Sequence, residues 1–206
     1  MKVAFVQTLP VMLESYLALS ASLKKNRIET EVFVESLEND VVKKIVDSGA
    51  ELIGFNSLTG SYNWVCDIAK KIKAKKDIPI VVGGCHPTYY PEAIDFDLFD
   101  YICVGEGEET IVELAEAIAN NRYAGHIRNI GLRENNMIKI NELRPVIYDI
   151  GALPFSDRSL YHKYQYFLDQ DLYKYRTSRN CPYACTFCGA MLFLVETPQG
   201  SPAVFI

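Results

Sequence analysis

Late in the chain the sequence reads Ser178-Arg179-Asn180-Cys181-Pro182-Tyr183-Ala184-Cys185-Thr186-Phe187-Cys188-Gly189. Three of the six cysteines, Cys181, Cys185 and Cys188, fall within eight residues at the spacing C-x3-C-x2-C. Three thiolates on one short loop can converge on a single centre, and thiolates are the ligands that iron–sulfur clusters and zinc demand. A [4Fe–4S] cube held by three cysteines keeps one iron open for another ligand. Structural zinc takes four protein ligands, and the nearest histidine, His162, lies well upstream. A second set of residues suited to binding follows three strand-like runs. These are Asn56-Ser57-Leu58-Thr59-Gly60, Gly83-Gly84-Cys85-His86-Pro87-Thr88 and Gly105-Glu106-Gly107-Glu108-Glu109-Thr110. Glycines let backbone amides approach a ligand closely, and a helix start behind each loop favours a negative group. Taken singly, each loop is explained as well by turn chemistry and helix capping. Three of them on one edge point to a large ligand.

The elements that must position these residues alternate between two periods. Short apolar runs over Lys2–Gln7, Thr30–Glu35, Glu51–Phe55, Ile78–Val82 and Tyr101–Val104 read as strands. Between them, apolar residues recur at helical spacing over Leu13–Lys25, Asp40–Asp47, Tyr62–Lys75 and Glu109–Asn120. The inward sets include Val41, Val42, Ile45 and Val46; Val65, Ile68, Ala69 and Ile72; and Ile111, Leu114, Ala115 and Ile118. Regular strand–helix alternation implies an α/β domain, with a doubly wound parallel sheet joined by right-handed crossovers. Five such units over residues 1–125 fit the flavodoxin-like order 2-1-3-4-5, whose crevice opens at the carboxyl ends of strands one and three. The three loops above all lie on that carboxyl edge.

Composition narrows the class. Of 206 residues, 49% are hydrophobic and 23% charged, which is ordinary for a globular protein. No apolar run approaches the roughly 20 residues that span a bilayer, and the chain enters a strand directly from Met1, without the apolar core of a signal peptide. A cytoplasmic location is therefore expected. Cysteines there are reduced, so a cluster of them means metal rather than disulfides. The net charge of −5 argues against a nucleic-acid surface. Small-molecule ligands remain the expected partners.

The cysteine stretch resembles the signature loop of radical S-adenosylmethionine (radical SAM) enzymes. The resemblance implies a [4Fe–4S] cluster on Cys181, Cys185 and Cys188, and S-adenosylmethionine chelated on the open iron. An electron from the cluster then cleaves it to a 5′-deoxyadenosyl radical. Phe187, the aromatic just before the third cysteine, would lie beside the adenine. The phrases GGCHPTYYPE and VGEGEET within residues 1–125 look like the cobalamin-binding domain that precedes the barrel in B12-dependent radical SAM proteins. That likeness implies that Ser57, Thr59, Gly83 and Gly84 line the slot for the nucleotide tail of the corrinoid. His86, Pro87, Thr88, Gly105 and Glu106 would lie at the corrin rim or at its junction with the barrel. B12 domains with an axial histidine carry it in a D-x-H-x-x-G loop after strand one. Here that loop reads Gln7-Thr8-Leu9-Pro10-Val11-Met12-Leu13, so no histidine is expected below cobalt. His86 belongs to another loop and is read as shaping it. A response-regulator reading fails, because that loop has no acid before Glu14.

Residues 126–170 read as a connector. Asn129–Leu132 and Met137–Ile140 form a short hairpin around Glu134-Asn135-Asn136, where asparagines suit a turn with positive φ. Leu153-Pro154-Phe155-Ser156-Asp157-Arg158 resembles the L-P-x-P-D-R link of the same family, with Phe155-Ser156 in place of the second proline. Tyr161, Tyr164, Tyr166, Phe167, Tyr173 and Tyr175 are read as packing against a neighbouring domain. Residues 171–206 would begin a radical SAM barrel, with Tyr173–Ser178 its first strand. Only Gly189–Ile206 follow the cysteines, whereas a full barrel takes about 250 residues. The Gly-Gly-Glu stretch that holds the amino group of S-adenosylmethionine in relatives is missing. Three explanations stand at this level: a fragment, a truncated product, or a protein that kept the front half of an older enzyme. On the last, the chain is a non-catalytic corrinoid- or nucleotide-binding module with a vestigial cluster loop. On the first, it belongs to an enzyme that moves methyl groups or performs other radical chemistry.

Overall fold

A computed structural model of the chain describes residues 1–135 and 137–170 and, beyond them, 178, 179, 181, 183, 185–188, 204 and 205. Its centre is five parallel strands: β1 (Lys2–Gln7), β2 (Glu29–Val34), β3 (Leu52–Asn56), β4 (Ile80–Gly83) and β5 (Tyr101–Cys103). They lie in the order β2-β1-β3-β4-β5, the flavodoxin-like arrangement. The crossovers carry α1 (Glu14–Lys25), α2 (Val41–Asp47), α3 (Tyr62–Lys73), the short α4 (Cys85–Tyr89) and α5 (Glu108–Ala119). Element ends differ from the sequence expectation by one or two residues, the usual spread at frayed termini. No described helix is long and apolar enough to cross a membrane.

The strands alternate their side chains between two cores, as a pleat with period two requires. Val3 and Phe5 of β1, Leu52 of β3 and Val81 of β4 face the layer of α1 and α5. Ala4, Val6, Ile53, Phe55, Ile80 and Val82 face the layer of α2 and α3. Strands buried on both faces must be largely apolar, as in Val3–Val6 of β1 and Ile80–Val82 of β4, whereas edge strand β2 begins with the exposed or half-exposed Glu29-Thr30-Glu31. On α3 the residues Val65, Ile68, Ala69 and Ile72 are all buried, one stripe at i, i+3, i+4 and i+7. The Asp40 carboxylate caps α2 by accepting the Lys43 N–H at 2.9 Å. Val46 and Ile118, expected inward, are only partly covered.

Two features extend the domain beyond the five expected strands. The hairpin forms as β6 (Ile130–Glu134) and β7 (Met137–Ile140), and β6 pairs antiparallel with β5. The sheet therefore has seven strands. β5 would otherwise be an edge with unpaired backbone groups, and the hairpin satisfies them. Asn135 takes the expected positive φ, 49°; Asn136 lies outside the described residues, as do Tyr173 and Tyr175. The second feature is the connector. Three of its described aromatics pack on the α/β domain. Tyr161, Tyr164 and Phe167, the last in α6 (Gln165–Leu168), are buried in the α1 core, while Tyr166 stays exposed. The rings of Tyr161 and Phe167 meet edge-on at 4.8 Å. The Asp157 N–H donates to the Leu17 carbonyl at 3.0 Å, and its carboxylate accepts Ser20 Oγ at 2.5 Å and Lys24 Nζ at 2.7 Å.

This docking carries a pH signature. Burial disfavours the charged Asp157 carboxylate, but hydrogen bonds from Lys24, Ser159 and Ser20 outweigh it and hold the group below its ordinary value of 3.8. A depressed carboxylate adds stability above its unfolded pKa and loses it as pH falls through the folded one. Asp157→Asn is therefore expected to be less stable at neutral pH and to lose less than the parent protein on acidification to about pH 3. Urea unfolding at the two pH values checks this. By the same measurement Phe167→Ala should cost about 3 kcal/mol, which a loosely attached connector would not show.

Candidate functional site

The carboxyl edge of the sheet gathers four loops. The loop after β1, residues 8–13, exposes Leu9 (62%) and Val11 (44%), and Leu58 after the adjacent β3 is exposed as well (57%). Beneath them the edge is polar and closely tied. The Tyr16 hydroxyl, fully buried at the start of α1, donates to the Val6 carbonyl at 2.7 Å and accepts the Asn56 N–H at 2.8 Å. It thereby joins the ends of β1 and β3 at the point where the strand order reverses.

The loops after β3 and β4 clasp each other. Ser57 is buried; its N–H donates to the Gly83 carbonyl at 2.8 Å, and its own carbonyl accepts the His86 N–H at 3.0 Å. Gly84 has φ +97°, and a Cβ there would stand 2.3 Å from Asn56 Oδ1 and 2.8 Å from the Ser57 carbonyl. Only glycine accommodates both demands. His86 is 6% exposed, with its ring on Tyr62 at 4.4 Å and Nδ1 3.2 Å from the Thr59 hydroxyl. Burial lowers its pKa, which favours the neutral imidazole. Nε2 of His86 is buried with no hydrogen-bond partner among the described residues. Pro87 is buried beside it, and the Thr88 hydroxyl accepts the Gly105 N–H at 3.1 Å, linking α4 to the loop after β5.

Glu106 stands at the far end of this edge. Its carboxylate accepts the Ile147 N–H at 2.6 Å, and burial, with Glu108 nearby, raises its pKa. Arg179 reaches both acids, at 3.3 Å from Glu106 and in a short contact with Glu108. This pair of charge-assisted bonds brings the start of the cysteine stretch to the β5–α5 loop. Cys181 is partly buried, Cys185 and Cys188 are exposed, and all described cysteines are free. Phe187 is 91% exposed. The donors are of the right chemistry for a cluster, yet among the described residues no three of His, Cys, Asp and Glu are close enough to hold a metal ion. The three sulfurs are thus not gathered in this arrangement.

The structure brings together Ser57, Thr59, Gly83, Gly84 and His86, and ties Thr88 to Gly105. It sets Glu106 apart, against Arg179. Sequence reasoning missed Tyr16, Gln7, Tyr161 and Arg179, whose roles depend on partners remote in sequence. Two concave clefts of about 400 and 540 Å³ flank edge strand β2 and take no residue from these loops.

Residues 16–115 match the B12 binding domain family. The resemblance to a B12-binding domain thus covers residues 16–115. The chain is 28% identical over 165 residues to an uncharacterized methyltransferase of Pyrococcus horikoshii, covering 75% of this chain and 34% of that protein. It is 27% identical over 158 residues to an anaerobic magnesium-protoporphyrin IX monomethyl ester cyclase of Synechocystis, covering 75% and 32%. It thus spans about a third of the length of these relatives. Among solved structures it superposes on the cobalamin-dependent S-adenosylmethionine radical enzyme OxsB, with aqua-cobalamin and S-adenosylmethionine bound, at a TM-score of 0.76 and 22% identity. That match covers 91% of this chain and 28% of OxsB. The radical S-adenosylmethionine methyltransferase TsrM of Kitasatospora setae gives 0.70 at 18% identity, covering 92% and 41%. At such identities the likeness is one of fold.

The edge has features that would suit a corrinoid: Leu9, Val11 and Leu58 are exposed apolar groups, and the buried His86 Nε2 has no hydrogen-bond partner among the described residues. Gly84→Ala tests how closely the β3 and β4 loops must approach. The positive φ alone costs about 1–3 kcal/mol, with the clash against Asn56 added, so a large fall in thermal midpoint is expected. Gly60→Ala, where a Cβ meets nothing within 4 Å, should be nearly silent.

Proposed function

We propose that this chain is the cobalamin- and cluster-bearing portion of a cobalamin-dependent radical SAM enzyme. Ser57, Thr59, Gly83 and Gly84 hold the nucleotide tail, and His86, Pro87, Thr88, Gly105 and Glu106 border the corrin. Cys181, Cys185 and Cys188 ligate a [4Fe–4S] cluster, with Phe187 beside the adenine of S-adenosylmethionine. When bound, these groups supply a methyl-carrying cobalt and an electron for reductive cleavage of S-adenosylmethionine. The protein's part is to seat them near one another. The observation that carries the reading is the Arg179 bridge: the cysteine stretch is held by Glu106 and Glu108 on the same sheet edge that presents the B12-type loops.

The ungathered sulfurs favour a second reading, a corrinoid-binding module without a cluster. Anaerobic reconstitution with iron and sulfide separates the two. The first reading expects about four irons per chain and, with reductant, 5′-deoxyadenosine from S-adenosylmethionine. The second expects retained cobalamin without iron. Failure to retain hydroxocobalamin would defeat both.

The cobalt environment is a further check. The β1–α1 loop has no histidine, and the His86 ring is buried under Tyr62. Reduced, cobalamin-loaded protein should therefore give a Co(II) paramagnetic resonance spectrum without nitrogen splitting from a protein imidazole.

A further inference from the structure

The loop between β1 and α1 is held by a chain of hydrogen bonds that begins outside the B12-binding segment. Gln7, 5% exposed at the end of β1, spends both amide hydrogens on the loop, donating to the Leu9 carbonyl at 2.6 Å and the Val11 carbonyl at 2.7 Å. Its remaining oxygen accepts the hydroxyl of Tyr161 at 2.6 Å. The same hydroxyl accepts the Leu13 N–H at 3.2 Å, where the loop enters α1. The Val11 N–H closes a turn on the Leu9 carbonyl at 2.9 Å. Every donor and acceptor is used in its proper sense, and both side chains are buried. Within the loop so fixed, Leu9 and Val11 remain exposed on the sheet edge beside Leu58.

A buried relay of this kind costs side-chain freedom, and burying its polar atoms is favourable only because each is satisfied. What it secures is the conformation of a loop with two apolar side chains held out in water. A loop ordered in advance binds with less entropic loss than one ordered by its ligand. We propose that Gln7 and the connector residue Tyr161 are positioning residues, which set the β1–α1 loop as a preformed apolar platform under one face of the corrin ring. This rests on the cobalamin reading above. It adds that the platform is set from residue 161, well outside residues 16–115.

Tyr164 provides the matched control. It lies on the same connector and is also buried. Its hydroxyl accepts the Val34 N–H at 3.0 Å and donates to Glu38 at 2.5 Å, so it serves β2 and not the loop. Tyr161→Phe and Tyr164→Phe each remove one buried hydroxyl and both should lower stability. Amide hydrogen exchange of the unliganded full chain is the first measurement. Tyr161→Phe should speed exchange at Val11 and Leu13, and Tyr164→Phe should not. Hydroxocobalamin titration is the second. Tyr161→Phe should weaken binding about tenfold, the ratio equivalent to about 1.4 kcal/mol, while Tyr164→Phe leaves affinity unchanged. The proposal is overturned if Val11 and Leu13 stay protected in Tyr161→Phe, or if the two variants weaken binding alike. If the parent protein fails to bind hydroxocobalamin, the cobalamin reading fails, and the platform role falls with it even where the exchange pattern holds.

Discussion

The hydroxyl of Tyr16 sits where the two halves of the sheet diverge, bonded to the end of β1 and the end of β3. In a doubly wound sheet the crossovers leave in opposite directions at this point, and the strand ends splay to form the crevice. Splayed ends leave backbone groups with no neighbouring strand, and a buried unpaired group costs about 1–3 kcal/mol. Tyr16 satisfies one carbonyl and one amide without closing the crevice, and its ring stacks on Phe5 at 4.7 Å to fill the space beneath. Gly54 permits that stacking, since a Cβ there would stand 3.0 Å from the Phe5 ring. Much of the edge geometry follows from this junction. Asn56 begins the β3 loop, Ser57 pairs with Gly83, and Gly84 passes within reach of Asn56 only because it lacks a side chain.

The connector alters what counts as the domain. Tyr161, Tyr164 and Phe167 complete the core over α1, and Asp157 binds α1 through backbone, hydroxyl and ammonium together. A segment that is polar and loop-like along much of its length is therefore an integral part of the packing. Its aromatics behave as large apolar bodies with one polar end. The bodies fill the core, and the hydroxyls reach the β1–α1 loop and β2. Structure at the carboxyl edge of the sheet thus depends on partners 148 to 154 positions away in the sequence.

The cysteine stretch belongs to a different physical regime. Where thiols do bind a metal, their convergence is driven by the ligand bond itself. Cys185 and Cys188 are exposed and free. What is already formed is the electrostatic tether. Arg179 lies between two carboxylates in a partly desolvated place, where charge-assisted bonds are stronger than at an open surface.

Read alone, the residues determined the five strands and their order. Those follow from local periodicity, because a strand buried on both faces must be largely apolar and a crossover helix must carry one apolar stripe. The glycines at 84 and 105 were legible for the same reason: their positive φ is a local demand on the backbone. The pairing of the expected hairpin with β5, the packing of His86 on Tyr62, the relay from Tyr161 to Gln7 and the clamp of Arg179 on Glu106 and Glu108 were decided only in three dimensions. Each is a pairing between groups far apart in the chain, and a hydrogen bond or ion pair leaves no periodic mark on either partner's sequence.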